Sequence, residues 1–181
     1  GEEESDNIAE VLATGREALE AGDLQGAAEV FASVLQADPQ NAEALAGLAQ
    51  CYIKSNDIAR AEQTIALVPP DKRNHAEVAR VQAAIELAKQ GTKASANTAE
   101  LEAKVAANPK DHQSRIDLAV AFAASGRKLE AVDQLIESIK ADRNWNEEAA
   151  RKQLVKFFEA WGFKDEAAVE GRRKLSSVLF K

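Results

Sequence analysis

One cysteine, Cys51, stands in 181 residues, so neither an internal disulfide nor a cysteine-built metal site can form. Aromatics make up 5% of the chain, and its 9 glycines and 4 prolines are few. β-Branched and aromatic residues never collect in alternating runs bounded by turn residues, so no sheet is expected, nor a parallel nucleotide-binding fold. No apolar run approaches the roughly 20 residues that cross a bilayer, and no secretory signal is visible. A basic stripe is missing too, and phosphate contacts supply most nucleic-acid affinity, so a nucleic-acid partner is not expected. Arg172, Arg173 and Lys174 form a short basic cluster, read either as a solvated helix face or as a docking element.

What fills the chain instead is alanine and other helix formers, a composition that predicts an all-α protein. The net charge is -7, with Glu2, Glu3, Glu4, Asp6 and Glu10 concentrated at the start and the rest nearly balanced. Residues 1–6 are expected to be an acidic linker. Cys51 precedes Tyr52 in an apolar helical stretch, which suits a small core residue better than a reactive thiol.

Shifting the sequence by 34 positions superposes Gly15 on Ala49, Asp23 on Asp57, Leu24 on Ile58, Ala27 on Ala61 and Phe31 on Ile65. The pattern returns at Ala119, Phe122, Gly126, Ala131 and Leu135. Two antiparallel helices pack closely only where a side chain is small, which accounts for Gly15, Ala49 and Ala119 facing Ala27, Ala61 and Ala131. Phe31, Tyr52, Phe122 and Leu135 then fill the space between pairs. Gly22 and Gly126 suit left-handed helix ends, and Pro39 and Pro109 precede the N-cap candidates Asn41 and Asp111. This is the tetratricopeptide-repeat pattern. It predicts a right-handed superhelix of about five helix pairs: 7–38, 41–68, a divergent 74–108, 111–142, and a capping pair over 146–181. In the third pair a helix over 75–91 is followed by a polar stretch, 92–97, and a shorter helix.

Of the nine aromatic residues (six Phe, two Trp, one Tyr), five lie between 143 and 163. Asn146 reads as an N-cap, and Ala150, Leu154, Phe157, Phe158 and Trp161 share one helical stripe facing a second stripe of Ala168, Gly171, Leu175 and Val178. Phe157, Phe158 and Trp161 are expected to close the core. Trp145 and Phe180 lie outside the stripe and are candidates for protein binding together with Arg172, Arg173 and Lys174.

No catalytic constellation is visible: His75 and His112 fall in different units, and neither a nucleophile-elbow serine nor a glycine-rich phosphate loop is present. No enzymatic activity, metal or cofactor is expected. A repeat array of this type offers a concave face lined by first helices. By register its candidate residues are Leu12, Arg16 and Leu19, then Gln50 and Ile53, then Ile116 and Val120, a mostly apolar lining suited to an exposed hydrophobic segment. Some repeat proteins of this class grip a terminal carboxylate there, but Leu12, Arg16 and Gly47 stand where a lysine and two asparagines would be needed.

The stretch "WNEEAARKQLVKFFEAWG" (145–162) and the ending "RRKLSSVLF" (172–180) closely resemble the C-terminal repeat region of the bacterial thioredoxin-like co-chaperones, the chaperedoxins of CnoX/YbbN type. The likeness extends over nearly the whole chain, including "TAELEAKVAANPKDHQSR" (98–115). It implies a cytoplasmic protein that holds unfolding client proteins and passes them to the Hsp70 system and the chaperonin, with the repeats and last helix as interaction surfaces. Family members carry an N-terminal thioredoxin-like domain. This chain has no Cys-x-x-Cys, so the resemblance assigns any redox function to that domain. A scaffold that recognises one folded partner is the rival expectation.

Overall fold

The computed structural model describes residues 1–94 and 97–181, and among them it holds ten α-helices and no strand. They fall into two compact units, Gly1–Ile85 and Glu86–Lys181.

The first unit carries α1 (Glu2–Glu20), α2 (Leu24–Ala37), α3 (Ala42–Lys54), α4 (Ile58–Ile65), a 3-10 turn at Pro70–Lys72 and the beginning of α5 (Ala76–Ala94). The hairpin turns show how the sequence repeats itself physically. Gly22 and Asn56 both take a left-handed backbone, φ 83° and 61°. That bend lets the next residue's N–H return to a carbonyl five residues back: Asp23 to Ala18 at 2.9 Å, Asp57 to Tyr52 at 2.8 Å. The same aspartates then cap the following helix, accepting from the N–H of Gly26 and of Arg60. One residue therefore ends one helix and starts the next. The core forms on the small positions, where Ala27, Ala49 and Ala61 are fully buried. Phe31 lies between α1 and α3, and a Cβ added at Gly15 or Gly47 would meet its Cε1 at 2.7 or 2.5 Å.

The second unit carries the remainder of α5, then α6 (Thr98–Ala107), α7 (His112–Ala124), α8 (Lys128–Ala141), α9 (Ala149–Trp161) and α10 (Glu166–Leu179). Asp111 and Asp165 cap α7 and α10 through the N–H of Ser114 and of Ala168. Gly126 makes the left-handed turn, φ 78°, but Arg127 stands where the other hairpins have their capping aspartate. Its guanidinium instead pairs with Glu130 and stacks 4.1 Å over Phe122. Leu135, Leu154 and Phe157 are fully buried at the centre, with Phe158 beside Gly171, where a Cβ would meet the ring at 2.5 Å.

Three sequence expectations need correction. The acidic stretch 1–6 is helical from Glu2, because acids in a first turn complement the helix dipole. The helix expected over 75–91 runs to Ala94: Gly91 is not a stop but a close-approach point, where a Cβ would lie 2.5 Å from that of Ala124. The rest of the polar stretch 92–97 includes Ser95 and Ala96, which lie outside the described residues. Asn146 does not cap α9. Asn146, Glu147 and Glu148 form a left-handed turn, φ 46°, 57° and 63°, and α9 begins at Ala149.

Candidate protein-binding site

In the first unit, Leu12 and Leu19 are buried at 5% and 7% exposure, so α1 offers its leucines to packing more than to solvent. Leu12 still edges a hollow of about 410 Å3 shared with Glu43, Lys72 and His75. Arg16 bonds Glu43 at 2.9 Å, and the same carboxylate lies 3.5 Å from His75 Nε2, so Arg16, Glu43 and His75 meet on the rim. Gln50 and Ile53 are half-buried on α3. In the second unit, Ile116 and Val120 on α7 are buried, and together they line a cleft of about 510 Å3 with residues of α5, α6 and α9. Of the first-helix residues chosen by register, Leu12 lines the hollow of the first unit and Ile116 and Val120 line the cleft of the second, whereas Arg16, Leu19, Gln50 and Ile53 line neither.

The C-terminal candidates separate as well. Trp145 is half-buried, its ring stacked 5.1 Å from that of His112, whose Nδ1 lies 2.6 Å from the Ser138 hydroxyl. Lys174 reaches Asp133 at 2.6 Å, and Arg173 pairs with Glu170 on its own helix. Arg172 lies 5.2 Å over the Phe158 ring and donates to the Phe163 carbonyl. The basic cluster is therefore engaged side chain by side chain instead of forming one open cationic patch. Phe180 is 84% exposed, and Phe163, which the sequence reading did not single out, is 73% exposed.

Residues 18–85 match one tetratricopeptide-repeat family and residues 91–180 another. The chain is built of tandem tetratricopeptide repeats. Among solved structures it is similar to a domain of protein VP0806, of unknown function, from Vibrio parahaemolyticus, at 23% identity and TM-score 0.48, covering 95% of this chain and 99% of that one. It is also similar to the MamA protein, at 19% identity, 96% and 92% coverage and TM-score 0.43. A third is YrrB, described as a TPR protein with an unusual peptide-binding site, at 17% identity, 98% and 89% coverage and TM-score 0.45. No curated protein matches the sequence.

The repeats are protein-interaction modules, and their chemistry here is that of holding side chains in place. Burial acts to raise the Asp165 carboxyl, but the Lys128 ammonium at 2.8 Å and the Ala168 N–H outweigh it and hold the group below the usual aspartate range. Asp111 is lowered by the Ser114 hydroxyl, at 2.7 Å, and by the Ser114 N–H. Burial pushes the Cys51 thiol up, which disfavours the thiolate needed for reactivity. Among the described residues no group of three or more His, Cys, Asp or Glu could hold a metal ion, and no helix is long and apolar enough to cross a membrane.

Sequence reasoning missed Gln153. It borders the second unit's cleft and is 8% exposed, on the same face of α9 as Ala150, Leu154 and Phe157. A polar residue at i+3 of an apolar stripe was the available signal.

Proposed function

We propose that the chain is the polypeptide-binding half of a thioredoxin-like co-chaperone, a cytoplasmic holdase that takes unfolding clients on its repeats and docks to chaperonin and Hsp70 machinery near its C-terminus. No catalysis is part of this reading. The observation that carries it is the solvent exposure of two phenylalanines, Phe163 and Phe180, on either side of α10, with Val169 between them 53% exposed. Large apolar side chains left in water at the two ends of one helix are open to a partner without any rearrangement of the fold. The resemblance of residues 145–162 and 172–180 to the co-chaperone repeats supports the same assignment.

The test is aggregation of several unrelated proteins on heating, with and without the chain at equal concentration. Suppression of all of them supports a holdase; suppression of none supports the adaptor reading. That second reading has its own observation, the burial of Leu12, Leu19, Ile116 and Val120, which removes much of the apolar lining from solvent. Docking is tested by capture of purified chaperonin on the immobilised chain. Deleting residues 174–181 would also remove Leu175 and Val178, which pack on the core. Phe180→Ala is therefore the cleaner variant: loss of capture at unchanged Tm supports docking, and full retention refutes a role for this ring.

A further inference from the structure

Asn146, Glu147 and Glu148 hold a left-handed backbone, φ 46°, 57° and 63°, and none of them is glycine. For glutamate that conformation is penalised, because Cβ crowds the following carbonyl oxygen. The same three residues have the composition of a right-handed helix start: an asparagine to cap it and two acids for its first turn. The structure forgoes both advantages, since α9 starts at Ala149 with no side-chain cap bond and no acid in its first turn. A segment whose local sequence and actual backbone disagree in this way is strained, and such strain is kept only where the surroundings impose it.

The surroundings that impose it adjoin the turn. Trp145 is half-buried, its ring 5.1 Å from that of His112, the first residue of α7, and His112 Nδ1 lies 2.6 Å from the Ser138 hydroxyl of α8. The Trp145 carbonyl also takes the Ala149 N–H at 3.3 Å. At the other end of the connection, Arg143 donates from Nη2 to the carbonyl of Leu179, the last residue of α10, at 3.1 Å. One short connection therefore touches the start of α7, the body of α8 and the end of α10.

We propose that residues 143–148 are a two-state latch. In the latched state, the one described, the seat of Trp145 on His112 keeps 146–148 left-handed. In the released state Trp145 leaves that seat, Glu147 and Glu148 turn right-handed and join α9, and the Asn146 side chain caps the longer helix by accepting the Ala149 N–H. Release exchanges one hydrogen bond to Ala149 for another. The Glu148–Arg151 pair, 3.1 Å apart and three residues distant, has a spacing that a helix keeps and opposes neither state. Release loses the aromatic stack and gains a cap, acids at the positive end of the helix dipole and relief of the positive φ angles. Arg143 carries the change to α10, because turning the connection draws its guanidinium from Leu179, the neighbour of the exposed Phe180. By linkage, a contact that displaces the end of α10 in turn biases the seat of Trp145.

The test is NMR of the full chain, and every readout is conformational, so its outcome is independent of the co-chaperone reading. In wild type, Glu147 and Glu148 should show the strong intraresidue HN–Hα NOEs of left-handed residues. Trp145→Ala should weaken those NOEs to the level of a right-handed helix and shift the amides of Leu179 and Phe180. Glu147→Pro is the second variant: it fixes φ negative at what would be the first position of the longer helix, where no N–H is needed. It should stay folded and release Trp145, read in fluorotryptophan-labelled chain as movement of the Trp145 resonance to its solvent-exposed position.

Left-handed NOEs that survive in Trp145→Ala overturn the proposal, because the turn is then set locally. A right-handed pattern in wild type overturns it too, since no latched state then exists. Unmoved Leu179 and Phe180 amides in Trp145→Ala refute the link to α10. If Trp145→Ala fails to fold, Glu147→Pro decides: a folded chain with Trp145 released supports the latch, whereas a Trp145 still stacked, or global unfolding, refutes it.

Discussion

Phe31 is 1% exposed, and the ring approaches the backbone of two other helices through glycines, Gly15 on α1 and Gly47 on α3. Gly47→Ala tests whether that approach, and not turn flexibility, is why glycine stands there. On helix propensity alone alanine should stabilise α3 by about 1 kcal/mol. The added Cβ, however, would lie 2.5 Å from Phe31 Cε1, more than 1 Å inside ordinary contact. The ring's retreat toward α1 is short, because it already packs so close on Gly15 that a Cβ added there would lie 2.7 Å from the same atom. Overpacking of this kind costs about 1–3 kcal/mol, and a ring held from two sides belongs at the upper end. The net expectation is a loss of about 2 kcal/mol, or about 4–8 °C in Tm for a chain of this length. Thermal unfolding followed by far-UV circular dichroism reads it directly. The decisive control is the same substitution in a Phe31→Leu background, where the clash is gone and Gly47→Ala should be neutral or mildly stabilising. A rise in Tm in the wild-type background would refute the reasoning, and so would an equal loss in both backgrounds.

Cys51, 3% exposed with its thiol pKa raised by burial, should react with an aromatic disulfide reagent only as fast as the fold opens, and with ordinary speed in denaturant; fast native labelling would contradict its burial. Asp165 has a lowered pKa, so its contribution to stability is complete above the unfolded value of about 4 and fades as pH falls through the lower folded value. Asp165→Asn should therefore unfold several degrees earlier than wild type at pH 7 and converge with it only as the pH falls below the lowered folded value, a difference read from paired melting curves. Glu147→Gly should be neutral or stabilising by up to about 1 kcal/mol in urea unfolding, since it relieves the left-handed glutamate at φ 57°; a clear loss would mean that the Glu147 side chain holds the turn.

The repeat was legible because its physics is local. A 34-residue shift finds small residues at close helix crossings and aspartates at hairpin turns, and Ala27, Ala49, Ala61, Ala119 and Ala131 are fully buried. Asn56 is the left-handed counterpart of Gly22 under the same shift and was readable, since asparagine tolerates that backbone better than most residues. What escaped depends on non-local packing. Gly91 looks like a helix stop until Ala124 of another helix comes against it. Asn146 has the right side chain for a cap, but the chain winds left-handed for three residues first and shifts the start of α9 to Ala149. Gln153 and Gln90 meet at one cleft only because α5 and α9 come to the same place, a fact that no period in the sequence encodes.

The aromatic C-terminal region divides by distance from helix ends more than by residue type. Phe157 and Phe158 lie within the α9 stripe and are buried, and Trp161, on its last turn, stacks 5.0 Å from Phe157 with the Lys128 ammonium 5.3 Å from its ring. Gly162 then turns the chain at φ 85°, and the next residue, Phe163, is left in water. Phe180 follows the last helical residue and is exposed for the same reason. Trp145 also lies outside a helix, yet it is half-buried because His112, fixed by Ser138, offers it a flat partner. Capping and docking are thus not rival explanations of one set of rings. Phe157, Phe158 and Trp161 complete the core of the second unit, and that rigid pair of helices holds Phe163 and Phe180 in solvent, where a partner can reach them.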